Sequence, residues 1–514
     1  MLAKARAYEI EAGGRISPEE RPLFHLSTRV GWLNDPNGFC FYKGKYHLFY
    51  QYHPYDTKWG PMHWGHAVSE DLLHWEYLGA AIAPDEEYDA AGCFSGSAVE
   101  LDDGRQLLIY TGVSEHTDGN GRPYAVQCQC LAFGDGENYV KYEKNPILTG
   151  ENLPEGLTVT EFRDPKVWKA QDGTYRMVAC CAASDHDRNL SYGTDAITEA
   201  GGRSIQVPYR DARIAFFASL DGIHYSDGRI LAANGLRFGT VWECPDFFNL
   251  DGRWVLLTNP MDMEAEGLEY ISGNGTLCLI GDYDNTAGTF TSETDQAVDY
   301  GIDFYAAQTI LTPDGRRVMI AWMQDWDTAA GYRYAKDAWF GQMTVPRELS
   351  VRDGRLYQTP VRELESLRHD RVEYTEVQLD GSLTLDGVSG RCVDLTLDIE
   401  SADPEDIYDL FELRFAAGGK CYSCVTFRPK ERTVEIDRSH SGSRRKILHT
   451  RRTDIGDGSG SLSLRVILDR FSAEVFIDGG YKVMTMNIST DLTAEGIEFI
   501  CCGRAVMNLV HCQL

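Results

Sequence analysis

The chain has 514 residues, of which 43% are hydrophobic and 25% are charged, and its formal net charge is −29. This length predicts more than one domain, and the composition is that of an ordinary globular protein. So large an excess of acid repels a phosphate backbone, which argues against nucleic acid as a partner. The N-terminus lacks a signal-peptide pattern and no apolar run approaches the ~20 residues of a membrane span, so we expect a cytoplasmic protein without a membrane partner.

The 14 cysteines are expected to be reduced and buried rather than paired in disulfides. Several lie inside apolar runs, Cys180 and Cys181 among them, where a free thiol packs as a small hydrophobe. Cys421 and Cys424 have the spacing of metal ligands, but no second cysteine or histidine pair accompanies them. The sequence therefore predicts no metal site at these cysteines.

Five segments in the first two thirds of the chain share one plan. Each has an aromatic and apolar run, a turn that ends in glycine, and a second apolar run. The turn glycines are Gly44, Gly104, Gly173, Gly252 and Gly315. Such turns are hairpin signals, because glycine readily adopts the positive φ of a tight turn. The spacing leaves room for two further strands in each unit, so the repeat predicts a five-bladed β-propeller with the first strand of each hairpin innermost.

The turn glycines also define a common register for the five units. Nine residues before them stand Asp35, Ser95, Asp164, Glu243 and Ala306. In equivalent blades these positions would converge at one end of the central channel. Three of them are acids, and carboxylates that repel one another are gathered for a metal, a cation or acid/base chemistry. Taken alone, Asp35 would be interpreted as a turn former and Asp164 as a structural partner of Arg163, but the shared register favours a common site.

Two kinds of chemistry suit such a three-acid centre. A calcium ion would need about six to eight oxygen ligands, whereas the positions around these acids are rich in aromatic rings and amides. Flat apolar faces mixed with amides are typical of sites that hold sugar rings. Glycoside hydrolysis needs one carboxylate that stays ionised and one carboxylic acid that stays protonated. The pattern therefore favours a sugar site with acid/base chemistry over a metal scaffold.

The motifs around the acids resemble those of glycoside hydrolase family 32, which contains invertases, sucrose-6-phosphate hydrolases and fructan hydrolases. The matching motifs include Trp32-Leu-Asn-Asp-Pro-Asn-Gly38, Phe94-Ser-Gly-Ser97, Arg163-Asp-Pro165 and Glu243-Cys-Pro245. The resemblance implies that Asp35 is the nucleophile, that Glu243 is the acid/base and that Asp164 binds fructose hydroxyls. It also implies a set of substrate-binding residues, which are Trp32, Asn34, Gln51, Trp59, Phe94, Ser95, Arg163 and Trp322.

By this resemblance the chain is a retaining β-fructofuranosidase that acts on sucrose, and possible further substrates are sucrose 6-phosphate and short fructo-oligosaccharides. A retaining pair requires carboxyl groups about 5–5.5 Å apart. The alternatives are a fructosyltransferase, which uses the same covalent intermediate, and a sugar-binding propeller without catalysis. No metal or cofactor is implied. His53 and Ala307 depart from the usual pattern of the family, which indicates a slightly different pocket rim.

The last third of the chain is expected to form a second domain. Residues 464–479 alternate polar and apolar side chains as a half-buried strand pair does, and they resemble the β-sandwich of the same family. We expect a catalytic propeller over residues 1–348, of which about the first 24 form an N-terminal extension. A linker over 349–371 and a β-sandwich over 372–514 would follow. The sandwich is the predicted surface for a homo-oligomer.

Two further segments carry less specific predictions. Residues 184–211 are rich in Asp, Gly and Ser and have no strand pattern, so we interpret them as an insertion that borders the leaving-group side of the site. The basic run over residues 444–452 could attract an anion, but a solvated hairpin face is the preferred interpretation.

Overall fold

The computed structural model describes residues 1–184, 210–285, 287–329, 338–456 and 458–514. The predicted insertion over 184–211 lies almost wholly outside these described residues. Over the described ranges the chain forms a five-bladed β-propeller followed by a β-sandwich, so the predicted fold class is confirmed. A helix, α1 (Leu2–Gly13), precedes the propeller. In this described part of the chain, no helix is long and apolar enough to cross a membrane.

Blades I to IV are antiparallel sheets of four consecutive strands. Blade I contains β1 (Gly31–Tyr42), β2 (Lys45–His53), β3 (His63–Ser69) and β4 (Trp75–Tyr77). Blade II contains β5 (Gly92–Glu100), β6 (Gln106–Thr117), β7 (Pro123–Gly134) and β8 (Tyr139–Lys141). Blade III contains β9 (Arg163–Lys169), β10 (Tyr175–Ser184), β11 (Arg210–Ser219) and β12 (Arg229–Ala233). Blade IV contains β13 (Val241–Leu250), β14 (Arg253–Met261), β15 (Leu277–Asp284) and β16 (Thr289–Gln296).

Blade V is built from two separated hairpins. Its strands β17 (Tyr305–Leu311) and β18 (Arg317–Trp322) are followed by helix α2 (Trp326–Ala329) and the short strand β19 (Trp339–Phe340). Strand β19 pairs in parallel with β1 and so joins the last blade to the first. The outer strands of blade V are β20 (Arg347–Arg352) and β21 (Arg355–Pro360).

The predicted linker over 349–371 is therefore wrong at its start. Most of its first half belongs to β20 and β21, and the chain leaves the propeller only through a short 3₁₀ helix, Arg362–Leu367. The prediction relied on the change to charged residues. In the structure these residues form an outer hairpin that alternates buried and partly buried positions, and not a connection between domains.

The first strand of each blade is innermost, as the hairpin repeat predicts. Strands β1, β5, β9, β13 and β17 contact one another in a closed ring. The five turn glycines that follow these strands have φ between 80° and 87°, the left-handed conformation that favours glycine. The inner strands therefore run from one end of the channel to the hairpin turns at the other.

The second domain packs two layers of strands around a core of Leu, Ile, Val and Phe. Its strands are β22 (His369–Leu383), β23 (Val393–Ser401), β24 (Leu410–Gly418), β25 (Cys421–Arg428), β26 (Thr433–Asp437), β27 (Thr450–Asp454), β28 (Leu462–Asp469), β29 (Ser472–Ile477), β30 (Lys482–Asn487) and β31 (Gly496–Gln513). The first half of β31 pairs with β24 and the second half with β23, so this one strand belongs to both layers.

Charged side chains join the two domains. Arg347 is fully buried and pairs with Asp299 of the propeller at 2.9 Å and with Glu474 of the sandwich. In the basic run, Arg451 is also buried and donates to the carbonyl of Gly301 at 3.1 Å. The interpretation of that run as a solvated face is therefore wrong for Arg451, because alternate residues of edge strand β27 face the propeller.

Candidate active site

Pairing between the first and second strands is interrupted at a similar level in all five blades. The flanking paired residues are Leu33 and Pro36, Phe94 and Gly96, Arg163 and Lys166, Glu243 and Asp246, and Tyr305 and Gln308. A bulge of this kind takes residues out of the ladder and turns their side chains in new directions. The five bulges lie at one end of the channel, and those of blades I, II and III bring the polar side chains of Asp35, Ser95 and Asp164 there.

The predicted register is one residue out in blade IV. Asp35, Ser95, Asp164 and Ala306 lie inside the interruptions, whereas Glu243 is the last paired residue before one. Blades II, III and V have five-residue turns, whereas blades I and IV have two-residue turns. Strand β1 makes up the difference with a second bulge between Asn37 and Cys40, and β13 shows only one bulge, so the count from the glycine falls before the bulge in blade IV. The acids still meet at one centre, because the offset is a single residue.

Asp35 is held by three hydrogen-bond donors. Its Oδ2 accepts from the Ser95 hydroxyl at 2.6 Å and from the Cys244 thiol at 3.5 Å, and its Oδ1 accepts from the Asn34 amide at 3.0 Å. Burial raises the pKa of Asp35 and the charge of Glu243 adds to the rise, whereas the three donors lower it. Asn34 is itself fixed by the Trp32 indole N–H at 2.7 Å.

Glu243 reaches the same centre from blade IV. Arg163 Nη2 lies 3.0 Å from its Oε1, and the Tyr305 hydroxyl donates to its Oε2 at 2.8 Å. Its side chain keeps 17% of its surface exposed, against 6% for Asp164. Glu243 is therefore more accessible than Asp164 to a bound molecule or to water.

Asp164 completes the group of acids. It has φ 60°, and the backbone N–H of Cys244 donates to its Oδ2 at 2.9 Å. Burial raises the pKa of Asp164, the Arg163 guanidinium opposes the rise, and the charges of Glu243 and Asp35 add to it. Arg163 lies near Asp164 and Glu243 and also pairs with Glu161, so one guanidinium serves several carboxyl groups, which favours a proton held among them.

Two protein-family sequence models match this chain and together cover nearly all of it. The model for the glycosyl hydrolases family 32 N-terminal domain matches residues 25–199 and 203–360, and the model for the glycosyl hydrolases family 32 C terminal matches residues 363–513. The chain belongs to glycoside hydrolase family 32. It is therefore a glycoside hydrolase, and both the predicted family and the predicted enzyme class are confirmed.

Individual relatives of the family agree with these matches. A sucrose-6-phosphate hydrolase of Zymomonas mobilis is 36% identical, with 99% of this chain and 94% of that protein aligned. A raffinose invertase of Escherichia coli is 35% identical over 91% of this chain and 89% of its own length. The solved structure of a Bombyx mori GH32 beta-fructofuranosidase has a TM-score of 0.80 and 30% identity, and it covers 100% of this chain and 98% of that one.

The predicted substrate-binding residues of this family 32 chain differ in burial and in contacts. Ser95 is buried and donates to Asp35, and Gln51 is buried and donates to the carbonyl of Cys93 at 3.0 Å. Trp59 stands in the loop after β2, 49% exposed, with its ring edge-on to Phe94 at 5.8 Å. Trp322 is fully buried, and its ring centroid lies 5.8 Å from that of Trp32. It therefore packs against Trp32, and its contact with a substrate stays a prediction.

Sequence reasoning missed several functional contacts of the family 32 site. No role is predicted for Cys244, although it contacts both aspartates, and its place in the Glu-Cys-Pro motif was the available signal. Glu161 is a fourth acid that pairs with Arg163, and it precedes β9 where no motif marks it. Trp326 of α2 stacks on Trp32 with ring centroids 6.2 Å apart.

Proposed function

We propose that this chain is a retaining β-fructofuranosidase that hydrolyses the terminal fructosyl bond of sucrose and of related small saccharides. The observation that carries the proposal is the convergence of Asp35, Asp164 and Glu243 from three blades onto one buried centre. The names of the relatives support the choice of sugar: they include sucrose-6-phosphate hydrolases and an invertase, and a mutant of the Bombyx mori enzyme was solved in complex with sucrose.

The nucleophile in this proposal is Asp35. Its three donors favour the ionised carboxylate against the effect of burial, and they hold it in one orientation for attack on the anomeric carbon. Attack forms an ester between the carboxylate and the fructosyl unit while the bond to the leaving sugar breaks. The transition state is oxocarbenium-like, so the negative charge that surrounds it is stabilising.

The general acid and base is Glu243. As a carboxylic acid it protonates the oxygen of the leaving sugar, and as a carboxylate it then takes a proton from the water that cleaves the ester. Its greater exposure fits these two exchanges with ligand and water. The balance is one water consumed for one glycosidic bond broken, and fructose leaves with its original anomeric configuration.

Asp164 is the proposed anchor for fructose hydroxyls. Among its contacts with the described residues, hydrogen bonding engages only Oδ2, which accepts from the Cys244 backbone. Oδ1 therefore faces a bound sugar as an acceptor. Short hydrogen bonds from sugar hydroxyls to a buried carboxylate strengthen when positive charge develops on the ring, which links this contact to catalysis.

Product analysis of two variants tests the roles. Asp35→Ala and Glu243→Ala are each expected to lower kcat for sucrose by about 10³-fold or more, while Asp103→Ala, which removes an exposed acid in the hairpin turn between β5 and β6, keeps wild-type activity. Added azide is expected to give a fructosyl azide of retained configuration with Glu243→Ala and of inverted configuration with Asp35→Ala.

Full activity in either variant, or an inverted first product from the wild type, overturns the assignment. The same assay on sucrose, sucrose 6-phosphate and short fructans measures substrate preference. Accumulation of longer saccharides instead of free fructose would indicate the alternative, a fructosyltransferase.

A further inference from the structure

A cavity lies at the end of the propeller channel opposite to Asp35, Asp164 and Glu243. Its volume is about 940 Å³, and all five inner strands contribute to its wall. The contributing residues include Phe39 of β1, Val99 of β5, Lys166 of β9, Phe248 of β13 and Thr309 of β17. Each of these stands between the bulge of its strand and the hairpin turn, so the cavity opens on the turn side of the propeller.

The floor of this cavity carries a satisfied ion pair. Lys166 is buried, and its Nζ lies 3.1 Å from Asp246 and donates to the carbonyl of Thr309 at 2.7 Å. The other Asp of the wall, Asp172, pairs with Arg176 at 2.7 Å. These two aspartates therefore already have cationic partners, and the third carboxylate of the wall, Glu100, is exposed.

Arg317 is a cation of this wall that has no carboxylate within ion-pair distance among the described residues. Among the described residues it makes no ion pair, its buried Nε has no hydrogen-bond partner, and its Nη1 reaches only the Thr309 hydroxyl at 3.4 Å. Its guanidinium stacks over the ring of Phe248 at 4.5 Å, which fixes the plane of the group without neutralising it. Arg317 is partly exposed, Asp246 attracts its charge without forming an ion pair, and the nearby Lys166 is a like charge.

We propose that this cavity is a binding site for a small tetrahedral oxyanion of the phosphate type, with Arg317 as its principal ligand. A planar guanidinium presents paired N–H donors that match two oxygens of such an anion. Because Nε is buried, the two Nη groups of the partly exposed Arg317 are the donors that an anion can reach. The excess of acid elsewhere on the chain, with a net charge of −29, makes an arginine without an ion pair a selective place for an anion.

The phosphate group can come from the free ion or from a phosphorylated sugar. The cavity is larger than inorganic phosphate requires, and Trp168 and Trp254 add aromatic surface to its wall. Inorganic phosphate and glucose 6-phosphate are therefore separate arms of the test, each measured against glucose. Binding of glucose 6-phosphate in the pocket of the acids would be equal in wild type and in a far-end variant, so the difference between them reports this cavity.

The experiment compares wild type with Arg317→Met by calorimetry and by melting temperature in phosphate-free buffer and with added ligand. We expect Arg317→Met to bind phosphate at least tenfold more weakly and to lose the rise in melting temperature that phosphate gives wild type. Without ligand the variant is expected to be at least as stable as wild type, since it removes a charge without an ion pair. Arg371→Gln, an exposed arginine of the sandwich, is the matched control.

Equal phosphate affinity in wild type and Arg317→Met overturns the proposal, as does the absence of any binding to wild type. If Arg317→Met does not fold, a selenate soak of wild-type crystals decides the question. An anomalous peak within hydrogen-bond distance of the Arg317 guanidinium supports the site, and a peak only elsewhere, or none, overturns it. The same variant is also assayed for sucrose hydrolysis, which should be unchanged because Arg317 does not contact Asp35, Asp164 or Glu243. This assay keeps the outcome for the cavity separate from that for the proposed function.

Discussion

The hydroxyl of Tyr305 donates to Oε2 of Glu243 at 2.8 Å, on the side of the carboxyl opposite to Arg163. The two contacts come from blades V and III, so both neighbours of blade IV hold the side chain that it contributes. Burial raises the pKa of Tyr305 far above its usual value, and the phenol therefore stays a donor at any working pH. This pair of contacts fixes the direction in which the carboxyl can exchange a proton.

Replacing Tyr305 by Phe is expected to lower kcat for sucrose by about 10- to 100-fold and to change KM little. The variant removes one hydrogen bond to a charged group, which is worth about 1.5–3 kcal/mol, and leaves the ring in place. The loss falls on kcat because the carboxyl becomes free to rotate while the sugar contacts remain. Steady-state kinetics with sucrose measures both constants.

Tyr300→Phe is the control for this variant, since the Tyr300 hydroxyl contacts Glu269 at 2.5 Å and takes no part in the acid centre. The control should keep wild-type kcat. An unchanged kcat in Tyr305→Phe, or an equal loss in the control, would show that the hydroxyl does not position Glu243.

Replacing Ser95 by Ala is expected to move the acidic limb of the pH profile of kcat/KM to higher pH. The Ser95 hydroxyl lowers the pKa of Asp35, so its removal raises that pKa and a higher pH is needed to ionise the nucleophile. At the pH optimum we expect a loss of about tenfold from the missing hydrogen bond. The measurement is a pH series of initial rates at low sucrose concentration.

Ser69→Ala provides the comparison, because that hydroxyl bonds with Asp71 in an outer turn of blade I. Its profile should overlay that of the wild type. A limb that stays in place in Ser95→Ala, or that moves to lower pH, would contradict the role given to the hydroxyl.

Much of this site could be predicted because the repeat carries geometric information. The equal spacing from the turn glycines predicts that Asp35, Asp164 and Glu243 lie close together, and it does so without any knowledge of their contacts. Counting nine residues back from the glycine reaches the bulge in four blades, because differences in turn length and in bulge size nearly cancel. They do not cancel in blade IV, where the position reached, Glu243, lies one residue before the bulge.

Other features depend on contacts between distant segments, which no local pattern reveals. Cys244 is one such case, because its thiol donates to Asp35 of blade I and its backbone N–H donates to Asp164 of blade III. The burial of Trp322 behind Trp32 depends on how blades I and V pack. The end of the propeller was missed because a charged outer hairpin has the composition of a linker.

The last prediction concerns stability and rests on His25, which is fully buried between two carboxylates of the sandwich. Its Nδ1 lies 2.7 Å from Asp469 and its Nε2 lies 2.9 Å from Glu474, so both ring nitrogens donate and the imidazolium is the bound form. Burial lowers the pKa of His25, but the hydrogen bonds to Asp469 and Glu474 outweigh it and raise the pKa from 6.5 to about 9.

A folded-state pKa above the unfolded value means that the stabilisation is complete below about pH 6.5 and is lost as the pH rises through about 9. The shift corresponds to about 3 kcal/mol. We expect the free energy of unfolding in urea to fall by roughly this amount between pH 6.5 and 9.5 in wild type, and His25→Gln to lack this component. His224→Gln, which removes an exposed histidine beside Asp221, should retain it. A wild-type stability that does not fall more steeply than that of His25→Gln over this range would show that the imidazolium does not stabilise the contact between propeller and sandwich.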